Sequence, residues 1–315
     1  MNKKKTMLIS TGVLGTLSLG ALSIIGNYFY NLALNPKTSK DAIFASKEEE
    51  KSTSGEVVNE TLVWLLNHSN YSNVYIESFD KLKLHGYKIL NKNSNNKWVL
   101  TVHGYTSKGI YMSNYAKRFY DMGYNILIPD LRGHGESEGN YIGMGWYDRL
   151  DILKWIDLII KEDKDAKIVL HGVSMGAATV SMTSGEELQS NIKAIIADCG
   201  YTSVWEQFSH HLKTMYSLPN FPVMSASSAV TRFKAGYSLK EASALKQVAK
   251  SKTPILFIHG DEDDFVPYRM MDELYNATNS DKEKLTIKGA GHAQSSKVDP
   301  NLYWSTIENF INKYI

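Results

Sequence analysis

The sequence predicts an α/β protein in which helices cover both faces of a mainly parallel sheet. From residue 73 onward, short apolar runs rich in β-branched residues alternate with longer stretches that have helical apolar spacing. Strand–helix–strand units of this kind form right-handed crossovers and parallel sheets. The chain has 315 residues, of which 43% are apolar and 22% are charged, as expected for a globular protein with a large core.

Eight strands are predicted, and the first two form an antiparallel edge because no helical stretch separates them. The predicted strands are Val74–Glu77, Lys83–Leu90, Trp98–His103, Asn125–Pro129, Lys167–Gly172, Ala194–Asp198, Ile255–His259 and Lys284–Lys288. The predicted helices lie near residues 109–121, 144–161, 175–188, 268–277 and 300–313. In such sheets, ligands bind at the carboxyl ends of the strands.

The N-terminal segment has the pattern of an exported protein. Three lysines, Lys3 to Lys5, precede an uncharged stretch from Met7 to Leu34. We favour an uncleaved membrane anchor, because the apolar character continues through Tyr28-Phe29-Tyr30, as in an interfacial aromatic belt. The alternatives are a signal peptide cleaved near Ser18–Ser23, which would give a secreted protein, and a buried core helix. With either an anchor or a signal peptide, the catalytic portion is extracellular.

The chain therefore divides into a signal or anchor segment at 1–35, a polar spacer with a lead-in helix at 36–72, and one domain at 73–315. The net charge is +2, and the remainder carries −1 without the three lysines. This balance gives no reason to expect nucleic-acid binding. A single cysteine, Cys199, excludes an internal disulfide and a Cys-based zinc site. No metal or cofactor is expected, and the oligomeric state is left open.

A candidate nucleophile lies in Gly172-Val173-Ser174-Met175-Gly176, between a predicted strand and a predicted helix. A strand-to-helix turn this tight forces the serine into a strained conformation, and the flanking glycines remove side chains that would clash. The hydroxyl of Ser174 then stands at the end of the sheet. An ordinary glycine-rich turn is the alternative.

A serine nucleophile needs a base and an orienting acid, which follow in the chain order serine, acid, histidine. His292 fits this order and lies in a flexible loop after the last strand. The acid belongs to the run of four carboxylates from Asp261 to Asp264, or is Asp198 at the end of the preceding strand. An acidic turn or a calcium site is the alternative for this run.

The oxyanion formed when a serine attacks a carbonyl group needs backbone N–H donors. One is expected from Met175, the residue after the nucleophile. The second is expected from Tyr105, because Gly104 allows the loop to turn toward the serine. We interpret His103 as a packed residue at the end of its strand.

Over residues 73–315 the sequence resembles the serine α/β-hydrolase superfamily, and more narrowly the bacterial cell-surface hydrolases that carry an N-terminal membrane segment. The resemblance rests on VHGYTSKG (102–109), PDLRGHGESEG (129–139), HGVSMGAAT (171–179), IADCGYTSVW (196–205), HGDEDDFVP (259–267) and GAGHA (289–293). It implies the α/β-hydrolase fold with an eight-stranded sheet. It also implies a helical cap at about 201–250, because family members place a cap after this strand.

The family motif H-G-x-x-D-x-x-V-P selects Asp263 as the acid of the triad. Within PDLRGHGES, the resemblance implies that Arg132 and His134 stabilise loops near the site. Asp80-Lys81 departs from the usual Asp-Gly turn of the edge hairpin. A serine at position 174 excludes the relatives that use an aspartate nucleophile.

The predicted function is hydrolysis of a small-molecule carboxylic ester by Ser174, His292 and Asp263 through an acyl-enzyme. The methionine- and aromatic-rich cap is expected either to line an acyl pocket or to form its own small core. Two alternatives are an exopeptidase or amidase on the same triad, and a membrane-tethered binding protein without catalysis.

Overall fold

The computed structural model describes residues 20–44 and 59–315. Within them, eight strands form one sheet. The strands are β1 (Ser72–Glu77), β2 (Lys83–Ile89), β3 (Lys97–Val102), β4 (Asn125–Pro129), β5 (Lys167–Val173), β6 (Ile192–Asp198), β7 (Ile255–Gly260) and β8 (Lys282–Ile287). Their spatial order is β1-β2-β4-β3-β5-β6-β7-β8. β2 pairs antiparallel with β1 and with β4, and the pairs from β4 to β8 are parallel. The predicted fold class is confirmed.

Helices cover both faces of the sheet. They are α1 (20–34), α2 (Asp41–Phe44), α3 (Glu60–Asn67), a 3-10 turn (Gly109–Met112), α4 (Ser113–Asp121), α5 (Asp148–Glu162), α6 (Met175–Thr183), α7 (Val204–Tyr216), α8 (Asn220–Ala235), α9 (Ala244–Val248), α10 (Arg269–Ala277), α11 (Ser295–Val298) and α12 (Pro300–Ile311). Alternate residues of a strand point to opposite faces. In β3, Trp98 and Leu100 therefore join the core under α5 and α6, whereas Val99 joins the core under α4 and α12.

Two predicted helices are shorter than expected. The helix predicted at 144–161 begins at Asp148, because Met144 and Gly145 adopt left-handed backbone angles that break a helix. The helix predicted at 175–188 ends at Thr183, where the N–H of Glu186 donates to the Thr183 carbonyl and closes a turn.

A buried arginine ties the edge hairpin to the domain. The guanidinium of Arg132 donates to both carboxylate oxygens of Asp151, at 2.7 and 2.8 Å, and to Asp80, at 2.9 Å. Asp80 belongs to the hairpin turn in which Lys81 adopts a left-handed φ of 70°. The departure at Asp80-Lys81 therefore does not concern the edge strands alone, because this turn is joined to a buried ion-pair network.

The predicted signal or anchor segment lies partly outside the described residues, which begin at residue 20. In the described ranges, no helix is both long and apolar enough to cross a bilayer. The end of the segment packs on the domain as α1. Tyr30 and Leu34 are buried in the main core, and Phe29 lines a cavity, whereas Tyr28 is exposed.

Candidate active site

Ser174 lies in a tight turn between β5 and α6. Its backbone angles, φ 58° and ψ −118°, lie in a region that L-residues rarely adopt. The flanking glycines are required by packing. A Cβ on Gly172 would come within 2.3 Å of the Gly176 carbonyl group, and a Cβ on Gly176 within 2.1 Å of the Val102 oxygen. The turn therefore holds the serine hydroxyl at the carboxyl end of the strand.

His292 connects Ser174 to Asp263. The imidazole Nδ1 is 2.7 Å from Asp263 Oδ2, and Nε2 is 2.8 Å from Ser174 Oγ. An ionised carboxylate can only accept hydrogen bonds, so Nδ1–H donates to Asp263. In the neutral ring, Nε2 then accepts the bond that the Ser174 hydroxyl donates. The structure thus brings together the three residues that the sequence singled out.

Asp263 is held as an anion. Its Oδ1 accepts the N–H groups of Phe265 (3.0 Å) and Val266 (2.9 Å). Its Oδ2 also lies 3.2 Å from Nε2 of His259. Burial raises the pKa of Asp263, but the hydrogen bonds from His259 and His292 outweigh it, so that this pKa lies well below its usual range. Asp263 therefore stays ionised at neutral pH.

The other acidic candidates have different partners. Asp261 accepts the N–H of Gly289 at 2.7 Å and so fixes the start of the loop that carries His292, while Glu262 is exposed. Asp198, the alternative acid, is fully buried and accepts the hydroxyl of Tyr303 at 3.1 Å. Burial raises the pKa of Asp198 to about 6.

The loop predicted to supply an oxyanion donor lies beside the nucleophile. A Cβ on Gly104 would lie 3.4 Å from Ser174 Cβ. His103 is buried and holds this loop: its Nδ1–H donates to the Gly104 carbonyl at 2.8 Å, and its Nε2 accepts the N–H of Leu131 at 3.0 Å. Burial lowers the pKa of His103, which keeps the ring neutral. The roles of the Tyr105 and Met175 amides remain predictions.

Among the described residues, the cluster that could offer three metal ligands consists of Cys199, Asp263 and His292. His292 and Asp263 already bind each other. Burial raises the pKa of the Cys199 thiol well above its usual value, which disfavours the thiolate that metal binding requires. The chemistry of this donor set does not favour a metal site.

One cavity extends from Ser174 between the cap and α1. Among the residues that line it in the described part of the chain, there is no Asp, Glu, Lys or Arg. The lining residues are Phe29, Tyr30, Leu32, Ala33, Leu34, Ile43, Tyr105, Met144, Ser174, Met175, Tyr201, Gln207, Phe208, His211, Leu212, Met215, Tyr216, Val223, Met224, Ser227, Thr231, Leu239, Phe265 and Val266. The part of this wall that α1 provides was not anticipated from the sequence.

The fold and the comparisons with known proteins define a hydrolase of the α/β-hydrolase class. A family model described as Hydrolase_4, serine aminopeptidase S33, matches residues 93–226. The chain belongs to the α/β-hydrolase superfamily and has its fold. It superimposes on the esterase Pf2001 of Pyrococcus furiosus with a TM-score of 0.64 and 25% identity, over 82% of this chain and 97% of the esterase.

Two curated relatives extend this finding. The uncharacterized protein YqkD of Bacillus subtilis is 29% identical over 215 residues, which are 68% of this chain and 70% of YqkD. The lysophosphatidylserine lipase ABHD12 of Rattus norvegicus is 27% identical over 191 residues, which are 58% of this chain. The match spans 46% of the length of that lipase.

Proposed function

We propose that the protein hydrolyses small-molecule carboxylic esters through an acyl-enzyme on Ser174. The observation that carries the proposal is the hydrogen-bonded series from Ser174 through His292 to Asp263. A serine hydroxyl is a poor nucleophile, and a neutral imidazole at hydrogen-bond distance is the base that activates it.

The proposed reaction has two matching halves. His292 Nε2 takes the hydroxyl proton as Ser174 Oγ attacks the ester carbonyl. The tetrahedral intermediate collapses, the C–O bond to the alcohol breaks, and the alcohol leaves with the proton from His292. Water then loses a proton to His292 and attacks the acyl-enzyme. The acid leaves, and the proton returns to Ser174.

Asp263 and the backbone amides supply the electrostatic part of this mechanism. The ionised carboxylate keeps the Nδ1 proton in place and stabilises the imidazolium that forms in each half. The N–H groups of Met175 and Tyr105 are proposed to bind the oxyanion. Removing one such donor typically lowers kcat by about 10²–10³-fold.

The composition of the cavity favours esters over peptides with a free amino group. An aminopeptidase needs a carboxylate that binds the substrate ammonium group, and the cavity lining described above contains none. The printed names of Pf2001, an esterase, and ABHD12, a lipase, support the same choice. The aminopeptidase name of the family model is the reason to test amide substrates directly.

A fluorophosphonate probe and a substrate panel test the proposal together. Wild-type protein should be labelled at Ser174, and Ser174→Ala should lose labelling and ester turnover. Ser305→Ala, a change at an exposed serine on α12, is the matched control and should keep both. p-Nitrophenyl esters should be cleaved faster than amino-acid anilides. Undiminished turnover by Ser174→Ala would contradict the mechanism.

We also propose that the N-terminal segment attaches the protein to the cell membrane, with the catalytic domain outside. The lysines at 3–5 and the uncharged stretch after them support this location. Ile24 and Tyr28 of α1 are exposed. Protease treatment of intact cells should degrade the domain, and alkaline extraction should leave the protein in the membrane pellet. Recovery in the culture medium would favour secretion after cleavage.

A further inference from the structure

We infer that α1 forms the wall of the catalytic cavity that determines acyl-chain length, and that the substrates are esters of long, unbranched aliphatic acids. This inference rests on the proposed function, because it assigns a substrate class to the same serine. The cavity that begins at Ser174 reaches Phe29, Ala33 and Leu34 of α1. The N-terminal segment is thus part of the substrate site.

The C-terminal end of α1 is fixed to the catalytic domain by hydrogen bonds. The carbonyl of Ala33 accepts the hydroxyl of Tyr105 at 2.6 Å, and the carbonyl of Leu34 accepts the N–H of Ile142 at 2.8 Å. The ammonium group of Lys40 donates to the Leu32 carbonyl at 2.8 Å, at the negative end of the helix dipole. These bonds hold the wall in register with the loop beside Ser174.

The rest of α1 packs against the cap. A Cβ on Gly26 would lie 2.7 Å from the Ala226 oxygen, so α1 and α8 approach closely at this point. Four residues further on, Lys234 of α8 lies 4.8 Å from the ring centre of Tyr30. The ring of Phe29 packs edge-on against Tyr216 of α7, at 5.6 Å. α1 therefore closes the cavity against both cap helices.

The far end of the cavity offers no hydrogen bond that an acyl chain would have to satisfy. Ser227 and Thr231 face it from α8, but their hydroxyls donate to the Val223 carbonyl (2.9 Å) and the Ser227 carbonyl (2.8 Å) of the same helix. A hydrocarbon chain fits such a lining, whereas a polar or charged acyl group does not. Each methylene buried here contributes about fourfold to kcat/KM.

Two substitutions on α1 test the wall in opposite directions. Ala33→Phe places a ring in the cavity, and Phe29→Ala removes one from it. Ile24→Ala is the control, because Ile24 lies on the same helix with 72% of its surface exposed. The substrates are p-nitrophenyl esters from acetate to palmitate, and fluorophosphonate labelling of Ser174 reports whether each variant has a working site.

The wild type should prefer the longer esters. Ala33→Phe should lower kcat/KM for palmitate by about tenfold or more, roughly the contribution of two methylenes, and change acetate by less than about twofold. Phe29→Ala should move the optimum to a different chain length, and Ile24→Ala should match the wild type.

The outcomes separate this inference from the function on which it rests. If labelled wild type prefers acetate, or if both cavity variants keep the wild-type ratio of palmitate to acetate, α1 does not determine chain length and the esterase proposal stands. A wild type that neither labels nor cleaves any ester would overturn both.

Discussion

Replacing Asp263 by asparagine is the sharpest test of the candidate site, because the side chain keeps its shape and loses only its charge and one acceptor. Asp263 accepts hydrogen bonds from His292, His259 and the amides of Phe265 and Val266, and each of these four contacts needs an acceptor. The amide group of asparagine brings an NH₂ donor that must face one of the two pairs.

Either orientation of the asparagine is unfavourable. If the NH₂ faces the histidines, His292 must accept at Nδ1 and carry its proton on Nε2, toward Ser174. It then cannot act as the base. If the NH₂ faces the loop, two buried N–H groups lose their acceptor, which costs about 1–3 kcal/mol each. The first orientation therefore dominates, and the wrong tautomer should lower kcat by about 10³–10⁴-fold, or about 4–5 kcal/mol.

The assay is steady-state hydrolysis of a p-nitrophenyl ester, with circular dichroism to verify folding. Glu262→Gln, a neighbouring exposed carboxylate, should stay within about twofold of the wild type. Asp198→Asn should lose far less activity than Asp263→Asn. If Asp263→Asn retained activity within about fivefold while Asp198→Asn lost about a thousandfold, the acid of the triad would be Asp198 and the reasoning above would be refuted.

Three further predictions concern stability and coupling. Burial raises the pKa of Asp198 to about 6, above its value of about 4 in an unfolded chain. The native state therefore binds this proton more tightly, and wild-type stability should fall by about 2–3 kcal/mol as the pH rises from about 4 to about 6, a loss that urea unfolding should not detect in Asp198→Asn. Arg132→Met should lower the free energy of unfolding by about 3–5 kcal/mol, because it leaves the buried carboxylate of Asp151 unpaired. Tyr105→Phe should cost about 1–2 kcal/mol and lower kcat/KM for short and long esters alike, because the carbonyl of Ala33 loses its donor.

The last two predictions have simple controls. Arg269→Met removes an exposed arginine that pairs with Glu273 and should change stability by less than about 1 kcal/mol. A similar small loss for Arg132→Met would mean that the buried network relaxes around the missing charge. For Tyr105→Phe, full activity with unchanged stability would show that the bond to α1 does not hold the loop.

The parts of the site that follow strand ends could be predicted, because a tight turn such as that around Ser174 leaves a sequence pattern. The acid could not be chosen from the residues alone. Asp261, Glu262, Asp263 and Asp264 are equivalent in composition, and the choice of Asp263 came from the resemblance. The structure distinguishes Asp263 physically, since it is buried and accepts bonds from His292 and the loop amides.

The role of α1 was missed because an apolar helix that faces a cavity has nearly the same composition as one that faces lipid. The sequence nevertheless contains a signal. Asn27 and Asn31 interrupt the uncharged stretch one helical turn apart, and Phe29 and Ala33 repeat with the same spacing on another face. Polar and apolar positions that segregate in this way indicate a helix with one protein-facing side.

The proposed chemistry and the proposed selectivity belong to different layers of the molecule. Ser174, Asp263 and His292 all follow strands of the central sheet, so their mutual distances depend on the sheet and on short loops. The chain-length wall belongs to α1 and the cap, which lie outside the sheet. The hydroxyl of Tyr105 joins the two layers, because its residue lies in the proposed oxyanion loop and its bond ends on Ala33 of the wall. An acyl chain that packs against α1 therefore also stabilises the loop, and this coupling predicts that long esters gain in kcat as well as in KM.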